Sequence, residues 1–157
     1  MRMGTPQWLA LAGAVVAVVL LLLLPRGPEA PAVDPGEARL AEAVAMVQGA
    51  SPMAGIQQLL TIVKEEPDNA GAHWHLGLFS VQSGQYDRAL ERFQQVAQLD
   101  PDGYPDVWFY LGRAYATLDS TEQAIASLRK YRTLAQDTVI LNGVDRFIAE
   151  LEQELKQ

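Results

Sequence analysis

An internal repetition with an offset of 35 residues constrains this 157-residue chain more than any other feature. Self-similarity at such a period indicates an array of small units that bury their apolar faces against one another. The offset holds for an apolar–glycine pair, for a small residue and for a large apolar residue. The equivalent residues are Leu76 and Leu111, Gly77 and Gly112, Ala89 and Ala124, and Phe93 and Leu128.

Each copy of the repeat is predicted to contain two helices joined by a turn. In the first copy, one helix is expected over residues 70–83, ending at Gly84, and another over residues 86–99. Leu90 and Phe93 recur at helical spacing within the second of these. In the second copy, Ser120 and Gln123 have the spacing of a capping box, which predicts a helix start there.

These helix pairs resemble the tetratricopeptide repeat, a helix–turn–helix unit of about 34 residues. The pattern Trp-x2-Leu-Gly-x2-Tyr is complete at Trp108, Leu111, Gly112 and Tyr115, whereas the first copy has its tryptophan one place late, at Trp74. The resemblance covers residues 70–137. It implies an all-α solenoid of antiparallel helix pairs, in which the first helix of each pair lines a concave groove that binds peptides or partner helices.

The flanking residues are expected to complete the array, because two repeats alone cannot bury a solenoid core. Pro67 lies 34 residues before Pro101, so residues 36–69 are interpreted as a degenerate first repeat. Repeats then follow at 70–104 and 105–138. Residues 139–157 carry one apolar stripe and a polar far side, which predicts a terminal capping helix. The domain at 36–157 is therefore expected to contain seven helices and to fold without the preceding segment.

Residues 1–24 are predicted to be an uncleaved signal-anchor that crosses a membrane. Trp8 to Leu24 is a run of 17 residues without a charge, which is longer than a typical signal-peptide core. Cleavage after Ala32, which would release a soluble exported protein, is the alternative. A proline-rich linker is expected at 25–35. Arg2 precedes the span and Arg26 follows it, and with the α-amine this favours a cytoplasmic N-terminus. The repeats would then lie outside a bacterial cytoplasmic membrane, facing the periplasm or exterior.

Composition excludes several kinds of chemistry. The net charge of -7 is unlike that of a duplex nucleic-acid binder, and the absence of cysteine excludes disulfides and thiolate catalysis. The two histidines, His73 and His75, are two residues apart and therefore lie on different faces of a helix, which disfavours a metal site. No catalytic constellation is found, so we expect no enzyme activity, no metal and no cofactor.

The groove implied by the resemblance is the predicted binding site. It suits an apolar protein or peptide segment with an acidic group, because the predicted groove is an apolar strip with two arginines, Arg113 and Arg146, at its end. The alternative is that neighbouring helices bury the rings of Trp74 and Phe109. Chaperone-binding relatives place lysine and asparagine where this chain has Trp74 and Leu78, which disfavours that function. The predicted groove residues are Leu40, Val44, Trp74, Leu78, Phe109, Arg113, Asn142 and Arg146.

The leading functional hypothesis is a membrane-anchored adaptor that holds another protein. Its architecture is similar to that of the tetratricopeptide subunits of cytochrome c maturation and haem-lyase complexes. A structural module that binds a second copy of itself is the rival hypothesis. Under the adaptor hypothesis, Trp74, Phe109 and Arg113 are expected to matter for binding and little for folding.

Overall fold

The computed structural model describes residues 34–156, and within that range the chain forms seven α-helices and no strand. Each helix packs mainly against the helices that precede and follow it, which is the arrangement of an α-solenoid. The helices are α1 (Pro35–Gln48), α2 (Pro52–Glu65), α3 (Ala70–Gln82), α4 (Tyr86–Leu99), α5 (Val107–Thr117), α6 (Thr121–Leu134) and α7 (Thr138–Glu154). The all-α expectation and the seven predicted helices are confirmed.

Two helices begin at side-chain caps. The Oδ1 atom of Asn69 accepts a hydrogen bond from the Ala72 amide at 2.9 Å, at the start of α3. Asp137 accepts from the Val139 and Ile140 amides at 2.7 and 3.2 Å, at the start of α7. Each bond satisfies an amide that has no partner within its helix, so these residues determine where the helices start.

The turns between α3 and α4 and between α5 and α6 have the same geometry. Gly84 and Asp119, which are 35 residues apart, have φ angles of 71° and 55°. The Gln85 amide donates to the Ser80 carbonyl at 2.8 Å, and the Ser120 amide donates to the Tyr115 carbonyl at 2.9 Å. This is the Schellman termination of a helix by a left-handed residue. The internal repetition therefore extends to backbone conformation.

The prediction of a capping box at Ser120 is wrong. No side-chain hydrogen bond caps α6, and the Ser120 hydroxyl instead donates to the Leu118 carbonyl at 3.3 Å. The Ser120 amide is already bonded to Tyr115 in the turn, so it is not available for the reciprocal bond from Gln123.

Small residues allow the paired helices to approach closely. A Cβ atom added at Gly77 would lie 2.6 Å from the Phe93 ring, and one added at Gly112 would lie 2.6 Å from Cγ of Leu128. At Gly55 the neighbour is backbone, because an added Cβ would lie 2.6 Å from the Ala43 carbonyl oxygen. Gly77 and Gly112, which are 35 residues apart, therefore lie at equivalent contacts within successive helix pairs.

The core consists of three apolar clusters arranged along the solenoid. The first lies among α1, α2 and α3, the second is centred on α4 and α5, and the third lies between α6 and α7. Their most buried members are Ala43, Leu59, Ile62 and Ala72 in the first cluster, Ala89, Phe93, Val96 and Val107 in the second, and Ala124, Leu128, Val144 and Leu151 in the third.

The predicted membrane span at residues 8–24 and most of the predicted linker at 25–35 lie outside the described residues. Among residues 34–156, none of the helices has the length and apolar character needed to cross a bilayer.

Candidate partner-binding surface

The first helices of successive pairs are α1, α3 and α5, and α7 follows the last pair. A first cleft of about 290 Å³ lies between α1 and α3. Val44 and Leu78 line this cleft, as does His75, whose burial lowers its pKa. The other lining residues are Val47, Gln48, Phe79 and Gln82.

A second cleft of about 420 Å³ lies between α5 and α7. Phe109 and Arg113 line it from α5. On the opposite wall, the side chains of Val139 and Ile140 are 79% and 45% exposed. The remaining lining residues are Gly143, Val144 and Phe147. The second cleft is therefore an apolar surface with one guanidinium group at its edge.

Trp74 belongs to an aromatic cluster that connects α3 to α4 and α5. Its ring centroid lies 5.5 Å from that of Phe93, 5.3 Å from that of Tyr104 and 5.4 Å from that of Tyr110. Phe93 is fully buried and stacks on Tyr110 at 5.2 Å. Trp74 is partly buried and contributes to packing between helices, which differs from the expectation that it matters little for folding.

Phe109 has contacts on two sides within the second cleft. Its ring lies 5.4 Å from that of Tyr131, and the Arg113 guanidinium carbon lies 5.9 Å from the Phe109 ring centroid. Burial, followed by the charge of Asp106, raises the pKa of the Tyr131 hydroxyl, which is hydrogen-bonded to Asp106. Arg113 itself is exposed, and no carboxylate of residues 34–156 lies within 4.0 Å of it.

The structure distributes the predicted site residues over several environments. Leu40 packs closely against Gly71 in α3 and contributes to the first apolar cluster. Asn142 and Arg146 are exposed on α7 and are not among the residues that line the second cleft. Val44 and Leu78 line the first cleft, Phe109 and Arg113 line the second, and Trp74 lies in the aromatic cluster.

The α7 side of the second cleft lies outside the predicted set of groove residues. Val139, Ile140 and Phe147 supply that wall. Asn142 and Arg146 were predicted for this wall instead, and a shift of one residue rotates a helical position by about 100°. The signal that identifies the true start is Asp137, a favoured N-cap residue that accepts two amide hydrogen bonds.

His73 and His75 have separate roles. His73 is 5% exposed, and its Nε2 lies 2.9 Å from the Pro67 carbonyl oxygen, while Arg92 Nη1 lies 3.3 Å from its Nδ1. His75 faces the first cleft. Among residues 34–156, no three histidine or acidic side chains converge as a metal-ligand group.

Two models of the tetratricopeptide repeat match the chain, over residues 37–104 and 80–140. Among solved structures, the chain is similar to MamA AMB-1, with 28% identity, a TM-score of 0.68 and coverage of 94% of this chain and 76% of that chain. It is similar to MamA MSR-1 with 28% identity, a TM-score of 0.64 and coverage of 94% and 80%. A MamA point mutant gives 28% identity, a TM-score of 0.66 and coverage of 94% and 81%. No curated protein matches the chain.

The family models agree with the geometry. Repeated helix pairs, small residues at the contacts within the pairs and identical turns 35 residues apart all lie within the matched range. Tetratricopeptide repeats mediate protein–protein interactions. Residues 37–140 consist of such repeats, and the chain is a tetratricopeptide-repeat protein.

Proposed function

We propose that the chain is a non-catalytic adaptor that holds an apolar segment of another protein in the second cleft. The observation that carries this proposal is the exposure of Val139 and Ile140 beside Phe109 and Arg113. Contiguous exposed apolar side chains beside an aromatic ring and an arginine are typical of interaction sites.

Arg113 supplies the polar part of the recognition. Within residues 34–156 it has no carboxylate partner, and it lies at the edge of an otherwise apolar cleft. A guanidinium group binds a carboxylate through paired, charge-assisted hydrogen bonds. A partner segment with apolar side chains and a terminal or side-chain carboxylate therefore fits this site.

A pair of synthetic peptides tests the proposal. One is a short leucine- and isoleucine-rich peptide with a free C-terminal carboxylate, and the other is the same peptide as its amide. We expect the full chain to bind the carboxylate form about tenfold more tightly, which corresponds to a difference of about 1.4 kcal/mol in binding free energy. Arg113→Ala should remove that preference, and Ile140→Gln should weaken the binding of both peptides.

Arg146→Ala is the matched control, because Arg146 is an exposed arginine that does not line the cleft. It should leave the binding of both peptides unchanged. Equal binding of the two peptides by the unmodified chain, or equal loss in the Arg113 and Arg146 variants, would contradict the proposed site.

We propose further that residues 8–24 anchor the chain in a bacterial cytoplasmic membrane, with the repeats on the outer side. The support for the anchor is the run of 17 uncharged residues from Trp8 to Leu24. Intact mass measurement of protein from native membranes tests the anchor. A mature N-terminus at Val33 would instead indicate a soluble exported protein. Assembly of an envelope complex, such as that for cytochrome c maturation, is the setting that this architecture favours.

Self-association is the second candidate function, because a second copy would also cover Val139 and Ile140. Measurement of molecular mass over a range of concentrations separates the two candidates. An adaptor stays monomeric as concentration rises, whereas a self-associating module forms larger species that Ile140→Gln disperses.

A further inference from the structure

A third cleft, of about 600 Å³, lies among α2, α3 and α4. Its floor includes Phe79, the one residue that it shares with the first cleft. Its walls come from the second helices of two successive pairs, and none of its lining residues belongs to α5 or α7. The third cleft is therefore separate from the proposed site around Phe109 and Arg113.

One wall of the third cleft is an apolar stripe on α2. Met53, Ile56 and Leu60 are spaced i, i+3 and i+7, so they lie on one helix face over about 10 Å. Met53 and Leu60 are 65% and 45% exposed, whereas Ile56 is 7% exposed and closes the base. The stripe has the spacing with which one amphipathic helix contacts another.

The opposite wall carries two arginines of α4. Arg88 and Arg92 are four residues apart and share a helix face. Arg88 donates to Gln85 at 2.7 Å, and Arg92 contacts His73 at 3.3 Å. Within residues 34–156, neither has a carboxylate within 4.0 Å, whereas Arg39, Arg129 and Arg132 all form ion pairs.

This arrangement stands out in a chain with 19 acidic and 12 basic residues. Glu91 is the one acidic residue in the lining, and it lies between the two arginines in sequence. The cleft thus combines an apolar stripe with two guanidinium groups that lack acidic partners in the described residues. The complementary surface has apolar side chains along one line and carboxylates beside it.

We propose that the third cleft binds an acidic amphipathic helix of another protein, with apolar residues against the α2 stripe and carboxylates against Arg88 and Arg92. Apolar contact supplies most of the affinity, because exposed ion pairs contribute little by themselves. The arginines select the charge of the partner and accelerate association. This binding is independent of the second cleft, so the chain is able to hold two partners together.

Two designed helical peptides of 18 residues provide the probe. Both carry leucine at i, i+3 and i+7 spacing, and the flanking positions are glutamate in one peptide and lysine in the other. Fluorescence anisotropy with the full chain should show at least about tenfold tighter binding of the glutamate peptide. Arg88→Glu should reverse that preference. Leu60→Gln should weaken binding of the glutamate peptide by about tenfold or more.

The matched controls are Arg113→Glu and Ile140→Gln, which change the second cleft in the same chemical way. In either of these backgrounds Arg88→Glu should still reverse the peptide preference and Leu60→Gln should still weaken binding, and this separates a failure here from a failure of the proposed function. Circular dichroism confirms that each variant is folded, and both Arg88 and Leu60 are exposed enough to tolerate replacement.

Several outcomes overturn the proposal. Equal binding of the glutamate and lysine peptides would show that Arg88 and Arg92 do not select the charge of the partner. Unchanged binding after Leu60→Gln would show that the apolar stripe on α2 does not contact the peptide. If Arg88→Glu lowers association with phosphatidylglycerol vesicles and leaves peptide binding unchanged, the cleft faces an anionic membrane instead of a helix.

Discussion

At the scale of single residues, His73 connects three segments of the fold. Its Nε2 donates to the Pro67 carbonyl between α2 and α3, and its Nδ1 accepts from Arg92 in α4. Both ring nitrogens have partners only when the imidazole is neutral. Burial lowers the pKa of His73, the Arg92 charge lowers it further, and the Pro67 carbonyl and the Asp68 carboxylate act in the opposite direction.

We predict that stability decreases below pH 6.5. The imidazole in the unfolded chain takes up its proton near the ordinary pKa of 6.5, whereas folded His73 takes it up at lower pH. The unfolded state therefore binds more protons in this window, and the free energy of unfolding falls as the pH falls toward the folded pKa. Urea unfolding at pH 7.5 and pH 5.5 measures the effect.

His75 contributes in the same direction, because burial lowers its pKa as well. His75→Gln leaves one histidine, so an NMR titration of that variant reports the pKa of His73 directly. A titration midpoint above 6.5 would contradict the prediction. His73→Gln should reduce the pH dependence seen in the unfolding experiment.

The equivalent turn residues Gly84 and Asp119 lead to predictions of opposite sign. Gly84→Ala should lower the free energy of unfolding by about 1 kcal/mol, because a side chain is strained at a φ of 71°. Asp119→Gly should leave stability unchanged or raise it by up to about 1 kcal/mol, since it relieves the same strain at 55°. Urea unfolding of both variants checks the result, and a clear loss of stability in Asp119→Gly would be inconsistent with this explanation.

At the scale of helices, the contact between α1 and α2 depends on Gly55. A Cβ atom there would lie 2.6 Å from both the Ala43 carbonyl oxygen and the Val47 amide nitrogen. These are backbone atoms of α1, so a clash is relieved only if the helices separate. At Gly77 and Gly112 the nearest atoms are side chains, of Phe93 and Leu128. Gly55 therefore marks the closest approach of two helix backbones among these positions.

We predict that Gly55→Ala lowers the free energy of unfolding by roughly 1–3 kcal/mol through overpacking. Gly143 in α7 is the matched control, because a Cβ added there has no neighbour within 4 Å. Gly143→Ala should raise the free energy of unfolding by about 0.5–1 kcal/mol, owing to the better helix propensity of alanine. Thermal and urea unfolding of the two variants measures both effects, and a stabilising Gly55→Ala would show that α1 and α2 pack less closely.

At the scale of the whole molecule, the array depends on contacts between neighbours. Each apolar cluster is shared by two or three consecutive helices, and α7 covers the last of them. Val144, Ile148 and Leu151 are buried against α6, while Arg129 and Arg132 form ion pairs with Glu152 and Asp145. The helix α7 therefore both closes the solenoid and forms one wall of the second cleft.

We predict that truncation after residue 136 destabilises α5 and α6 more than α1 and α2. Each buried side chain lost from α7 removes about 1.5–3 kcal/mol of apolar stabilisation from the adjacent cluster. Hydrogen exchange measured by mass spectrometry resolves the effect along the chain. Protection should fall most in 107–134 and least in 35–65, and a uniform loss would indicate one cooperative unit with no neighbour dependence.

The sequence by itself determined the helices and their turns, because the signals for these are local. Gly84 marked the end of a helix, and repetition at 35 residues identified Gly77 and Gly112 as equivalent positions in two helix pairs. These features depend on spacing within one or two helices. They need no knowledge of how distant helices are placed.

The tertiary structure alone decided which side chains are left open to a partner. Trp74 has the sequence position of a groove residue, yet Tyr104 and Tyr110 pack around it from beyond its own helix pair. Val139 and Ile140 line the second cleft because α7 starts at Thr138 and faces α5 across that cleft. Exposure depends on helix rotation and on separation between helices, and a one-residue shift in the start of a helix moves a side chain to another face.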